Sequence, residues 1–161
     1  MDGDGKPDLI VTNKNDNTIS VYRNTSTAGI PSFASKQNFT TGTGPYSVSI
    51  GDIDGDGKPD LAVSNFDNNS ISILRNTSTS GTISFAAKQD LTTGSWPISI
   101  SISDLDTDGK PDLAVLNNSA STVSIFKNIS YPGSISFAAK QDLSTGEWPL
   151  SISTADLDGD G

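Results

Sequence analysis

Asp52, Asp54, Asp56 and Asp60 stand at positions 1, 3, 5 and 9 of one nine-residue run, with Gly57 at position 6 and Lys58 at position 7. Carboxylates at 1, 3 and 5 converge on a single ion when the chain curls around it. A glycine at position 6 permits the sharp turn that points the position 7 carbonyl inward. Asp60 then closes the shell from the start of the next segment. Hard oxygen donors in an irregular loop, with no nitrogen or sulfur, select Ca2+. The expected ligands are therefore Asp52, Asp54, Asp56, the Lys58 carbonyl and Asp60. The run returns 52 residues later as Asp104, Asp106, Asp108, Lys110 and Asp112, with Thr107 in place of Gly55. Position 4 contributes no side-chain ligand, so that exchange reads as mild.

Two partial copies keep the same period. Asp2, Asp4, Lys6 and Asp8 fill positions 3, 5, 7 and 9 near the start, and Asp156, Asp158 and Asp160 fill positions 1, 3 and 5 near the end. Each holds what the other lacks. They are expected to form one composite Ca2+ site where chain ends meet, with positions 3 and 5 supplied twice, as Asp158 or Asp2 and Asp160 or Asp4, and one end's duplicates frayed. An isolated Asp-Gly-Asp-Gly is commonly an ordinary turn, but two complete nine-residue copies in one register argue for a site. An EF-hand is excluded, because position 12 is Val63 or Val115 instead of Glu and no helical pattern flanks the loop. A dockerin fails for want of the following helix.

The charge agrees with a cation-binding role. The net charge is −9, and 14 of the 19 acidic residues lie in these loops or their partial copies. Four carboxylates within nine residues repel one another unless a cation compensates. Three Ca2+ per chain would bring −9 to −3. The acidic balance argues against nucleic acid as a partner. There is no cysteine and no histidine, which removes disulfides, thiol chemistry and the commonest general base. No apolar run has the length of a membrane helix.

The elements around the loops repeat as well. Pro97 to Ser103 alternates apolar and small polar residues, as do Tyr46 to Ile50 and Leu150 to Ser153. After each Asp loop comes a short apolar strand, Leu61 to Ser64. Asp67-Asn68-Asn69 is turn chemistry, and Ser70 to Leu74 alternates again. Residues 83–89 read as a fourth strand. No segment has a capped 3.6-residue period, so no helix is expected. One strand face carries Ile, Leu, Val or Phe and the other Ser, Ala and Thr. Ala62, Ala86 and Ala87 favour close sheet-on-sheet approach over simple exposure. Four short antiparallel strands per unit, repeated radially, predict an all-β fold of β-propeller blades. With strands named A to D and the Asp loop between A and B, the order is B-C-D, A-B-C-D, A-B-C-D, A. The repeats run 2–53, 54–105 and 106–157, with a partial fourth copy at 158–161, as one propeller segment over 1–161.

The runs 52–61 and 104–113, each between strands in a unit of about 50 residues, resemble FG-GAP/VCBS-type repeats. Such repeats build integrin α-subunit propellers and many bacterial surface proteins. The resemblance covers essentially the whole chain. It implies a propeller with Ca2+ in the A–B loops of one rim, held by the four aspartates of each complete loop, and an extracellular or cell-surface setting. The Phe-Gly and Gly-Ala-Pro signatures are absent. Thr43-Gly44-Pro45, Gly94-Ser95-Trp96-Pro97 and Gly146-Glu147-Trp148-Pro149 stand near that turn, which favours the bacterial branch.

Three blades do not close a propeller, which takes at least about four. Open sheet faces invite association. The expected partner is the chain itself, as a homodimer of six blades or a homotrimer of nine, joined head to tail. The period and the ends also suggest a segment excised from, or designed on, a longer array, a natural short gene being the alternative. The expected function is a non-catalytic calcium-binding scaffold or interaction module, since each conspicuous polar residue recurs once per blade whereas catalytic sets are usually unique. A carbohydrate-binding lectin is the alternative. It rests on Trp96, Trp148 and Tyr46, one beside a proline in each blade, although aromatics at a strand start more often pack blades together. An enzyme would have only Ser and Asp to work with. The Asn-x-Ser/Thr sequons at Asn24 and Asn76 read as chance in so Asn-, Ser- and Thr-rich a chain.

Overall fold

The computed structural model describes residues 1–158. Strands β1 (Leu9–Asn13), β2 (Thr18–Tyr22) and β3 (Gln37–Thr40) form one sheet. Strands β4 (Pro45–Gly51), β5 (Asp60–Asn65), β6 (Ser70–Leu74) and β7 (Gln89–Thr92) form a second. Strands β8 (Pro97–Ser103), β9 (Asp112–Asn117), β10 (Thr122–Phe126) and β11 (Gln141–Ser144) form the third. All pairings are antiparallel between chain neighbours. The all-β fold is as the repeat predicts and the order B-C-D, A-B-C-D, A-B-C-D is observed, but without the expected last A strand, and among the described residues the three sheets do not close into a ring.

Period-two alternation buries both faces of the middle sheet. On one side of β5, Leu61 and Val63 pack with Ile19 and Val21 of β2, together with Leu74 and Ile83. At the next boundary, Leu113 and Val115 of β9 pack with Ile71 and Ile73 of β6, together with Phe126. The second cluster is the first moved on by 52 residues. Each fully buried Leu or Ile contributes about 1.5–3 kcal/mol, so these boundaries carry most of the cohesion between blades. Ala62 is buried between the second and third sheets, as the small-residue reading expects, and Ala114 is buried in the outer cluster of the third sheet. Ala86 is only half-buried and Ala87 is exposed, so the same reading fails there.

Buried serines join a repeated polar network. Asn65 Nδ2 donates to Ser70 Oγ and Ser72 Oγ, and Ser72 Oγ donates to Asp90 Oδ1 at 2.6 Å. Asn117 with Thr122 and Ser124, then Asp142, repeats this in the third sheet. Gly94 makes room for Asn117, since a Cβ there would lie 2.8 Å from Asn117 Cγ. Gly94→Ala is expected to cost about 1–3 kcal/mol by overpacking, read as a lower urea midpoint. A midpoint unchanged within error would refute that packing.

Three sequence expectations need correction. The fourth strand is Gln89–Thr92, not 83–89. Residues 76–86 fold back on themselves through the bridges Asn76–Phe85 and Thr79–Thr82. Ile83 and Phe85 then pack into the inter-sheet core and not into the ladder. Second, Lys14–Asp16 and Phe66–Asn68 form single 3-10 turns. Each is ended by an asparagine in the left-handed region, Asn17 at φ 55° and Asn69 at φ 52°, a conformation asparagine tolerates. Third, 150–154 is not a strand. A strand needs a ladder neighbour, and among the described residues this segment has none, although Ile152 packs on the outer core of the third sheet.

Candidate metal centre

The loop between β4 and β5 is wound by its own aspartates. Asp54 Oδ1 accepts from Asp56 N at 3.1 Å, Asp56 Oδ1 from Lys58 N at 2.9 Å, and Asp52 Oδ2 from Gly57 N at 2.9 Å. Gly57 sits at φ 87°, where the turn demands a left-handed residue. Thr107, at the place of Gly55, has φ 61°. A β-branched residue is a real outlier there, so the exchange at position 4 strains the backbone even though it removes no ligand.

Position 9 does more than the sequence suggested. Asp60 is fully buried, its Oδ2 accepting from Ile53 N at 2.9 Å and its Oδ1 from Asn76 N at 2.7 Å. It therefore ties the loop to the end of β6. Asp112 makes the same bonds to Leu105 N and Asn128 N. Asp8 makes them to Asn24 N and to the N-terminal ammonium of Met1, at 2.6 Å. Burial pushes the Asp60 carboxyl up to about 6, against the lowering effect of the Asn76 and Ile53 N–H groups, and the nearby Asp54 charge adds to the rise. Burial works the same way on Asp2. There the N–H groups of Asp4 and Gly81 and the N-terminal charge win, and hold its carboxyl below the usual range.

The structure brings together one oxygen from each of Asp52, Asp54 and Asp60, all within 4.8 Å. Asp52 Oδ1 is buried with no hydrogen-bond partner. A buried, unpartnered carboxylate oxygen beside two other carboxylates suits a hard cation. Asp56 is outside that group and caps the Lys58 N–H. Lys58 Nζ reaches Ser78 O at 3.1 Å, and Lys110 Nζ reaches Ser130 O at 3.0 Å. In the second loop Asp104, Asp106 and Asp108 come together, all exposed, without Asp112. Lys127 Nζ pairs with Asp106, lies 3.3 Å from Asp108 Oδ2, and holds the Asp106 carboxyl below the usual range. Asp4 Oδ1 accepts from Lys6 N at 2.9 Å. Asp156 and Asp158 lie by the third sheet, lining an open groove with Asp104 and Leu105. Among the described residues no acidic cluster joins them to Asp2, Asp4 and Asp8. Asp160 lies outside the described residues.

The two complete loops differ because a following blade covers only one. Gly133 N, in the C–D excursion of the third sheet, donates to Asp54 Oδ2 at 2.9 Å. Gly81 N does the same to Asp2 Oδ2 at 3.0 Å. Asn128 Nδ2 reaches back to Ile53 O at 2.7 Å while also holding Pro111 O at 2.8 Å. Asn76 repeats this with Met1 O and Pro59 O. Sequence reasoning missed these grips. The asparagines recur at 24, 76 and 128, the same 52-residue spacing, and that was the available signal. Asn24 and Asn76 are buried binders of the loops, not chance sequons.

The opposite rim carries an aromatic row. Ring centroids are 5.8 Å apart for Tyr46–Phe66, 5.0 Å for Phe66–Trp96 and 5.9 Å for Trp96–Trp148. Trp96 and Trp148 are equivalent and left-handed, at φ 58° and 52°, but Gly44 holds that place in the preceding blade. Tyr46 falls instead at the register of Ile98, so it is no third member of the set.

A family model described as an FG-GAP-like repeat matches residues 1–63, 52–115 and 104–161. The chain belongs to the FG-GAP-like repeat family. Neighbouring FG-GAP-like matches overlap over 52–63 and 104–115, which hold the two complete Asp loops and the start of the strand after each. FG-GAP-like repeats are repeat and interaction modules and often bind calcium, and they occur typically in extracellular proteins. Among the described residues no helix is long and apolar enough to cross a membrane. No curated protein and no solved structure matches the chain.

Proposed function

We propose that this FG-GAP-like chain is a non-catalytic, calcium-binding propeller module acting as an extracellular or cell-surface scaffold. The observation that carries this reading is the buried, unpartnered Asp52 Oδ1 among the Asp54 and Asp60 carboxylates. Ca2+ would be held there by Asp52, Asp54 and Asp60, with Asp56 and the Lys58 carbonyl completing the loop, and in the second loop by Asp104, Asp106, Asp108, the Lys110 carbonyl and Asp112. The ion would neutralise the crowded carboxylates and lock strand A to strand B. Titration calorimetry tests this: heat on adding Ca2+ is expected, and Asp52→Asn should remove the share of the 52–60 loop while that of the 104–112 loop remains. Absence of heat in the unmutated chain would sink the reading.

The uncovered outer sheet faces support a partnership. The chain pairs with itself, two copies giving six blades or three giving nine. The composite site then draws Asp156, with Asp158 and Asp160 or their duplicates, from one copy and Asp2, Asp4, Lys6 and Asp8 from the next.

Carbohydrate binding is the second reading, favoured by the exposure of Trp96 and Trp148 on the rim away from the loops. Aromatic faces stack on sugar rings. A glycan array in calcium is expected to show signal that Trp148→Ala removes, and an array with no signal retires the idea.

A further inference from the structure

We propose that the two outer faces of the array are matching halves of one interface, so that a second copy docks head to tail and caps the 104–112 loop. This rests on the self-assembly reading above and assigns its contacts.

The outer side of β1 presents Leu9 and Val11, 49 % and 45 % exposed, and Phe33, the repeat counterpart of Phe85, is exposed as well. Their counterparts Leu61, Val63, Leu113 and Val115 are 0 % exposed, each pair covered by the preceding sheet. The outer side of the third sheet carries Val123, Ile125 and Leu143: Val123 is buried in the outer cluster that Ile152 packs on, Ile125 is half-buried and Leu143 is 48 % exposed. Their counterparts Ile71, Ile73 and Leu91 are the other half of the covered boundary. Every residue needed to rebuild that boundary is thus on the chain, split between its two ends. The faces differ from each other, so the contact is heterologous and not two-fold.

Polar positions are split the same way. Gly42 and Gly94 each abut the asparagine that ends the following blade's B strand, whereas a Cβ at Gly146 would meet nothing within 4 Å. Moving the internal contacts on by the repeat places Asn13 of a second copy against Gly146. It also aims Gly29 N of that copy at Asp106 Oδ2, as Gly133 N meets Asp54, and Asn24 Nδ2 at the Leu105 carbonyl, as Asn128 meets Ile53. The open groove beside Asp104 and Leu105 lies where that excursion would sit. Docking would bury Asp106 as Asp54 is buried, which links ion binding at this loop to assembly.

Val11→Glu and Leu143→Glu each spoil one face and touch side chains already near half-exposed, so both variants should fold with unchanged circular dichroism. In calcium, light scattering should give two or three times 16.7 kDa for the unmutated chain. Either variant alone should remain monomeric. Mixed in equal amounts they should form a 1:1 dimer through the remaining pair of good faces. Gly146→Ala should weaken association at least tenfold while leaving the melting temperature of the monomeric Val11→Glu background unchanged. An unmutated chain that stays monomeric, variants that still associate singly, or a mixture that stays monomeric overturns the proposal. Calorimetry on the same samples separates the failures: ions bound without association removes only the docking, and association without ions removes only the calcium role.

Discussion

Chelation with EGTA is expected to lower the melting temperature of the calcium-saturated chain by about 10–20 °C. An ion that binds only the folded state at about 100 times its Kd adds ~2.7 kcal/mol per site. Two complete loops then supply ~5 kcal/mol, and for a chain of this length each kcal/mol moves the melting point by about 2–4 °C. Mg2+ demands tighter octahedral geometry than a loop of this kind offers, so it should restore much less. The pH dependence has a definite sign. Asp60 has its folded-state pKa raised from 3.8 to about 6. Its contribution to stability in chelator is therefore fully present below 3.8 and is lost as pH rises through about 6. A bound cation relieves that loss by favouring the charged form, so the calcium increment should be larger at pH 7.5 than at pH 5. A melting curve indifferent to EGTA, or an increment larger at low pH, would count against the site.

Asn128→Ala is expected to cost about 3–5 kcal/mol, more than any substitution on the exposed rims. The side chain donates to Ile53 O and Pro111 O and accepts from Ser130 N, the first and last of these bonds buried and the bond to Pro111 O part-buried. Truncation leaves three orphaned backbone groups at about 1–3 kcal/mol each, some rescued by water. Asn128→Asp should be no better, since it keeps the acceptor, loses both donors and sets a carboxylate near Asp112. The urea midpoint reads the loss, with an unchanged slope confirming that only stability moved. A cost under about 1 kcal/mol would show that the grip on the preceding loop is not structural.

How far the fold follows from sequence depends on the kind of force involved. Alternation in Ser70 to Leu74 is local, so β6 has the bounds the pattern predicts. Residues 83–89 look equally strand-like, yet Ile83 and Phe85 serve the core between sheets, a destination no local pattern reveals. Leu150 to Ser153 also alternates, but a strand exists only with a hydrogen-bonded neighbour, and none is present beside it in the described chain.

The Asp loops show the same division. Their ligand types, their order and their 52-residue spacing are sequence properties, because the ion-binding turn closes within nine residues. Tertiary structure decided which oxygens meet. It joined Asp60 to the first cluster and left Asp112 out of the second, and it put Asp54 under Gly133 while leaving Asp106 to Lys127. The physical reason is reach. A loop's own residues set its curl, whereas burial and the last hydrogen bonds come from the following blade, 75 to 79 residues further along the chain.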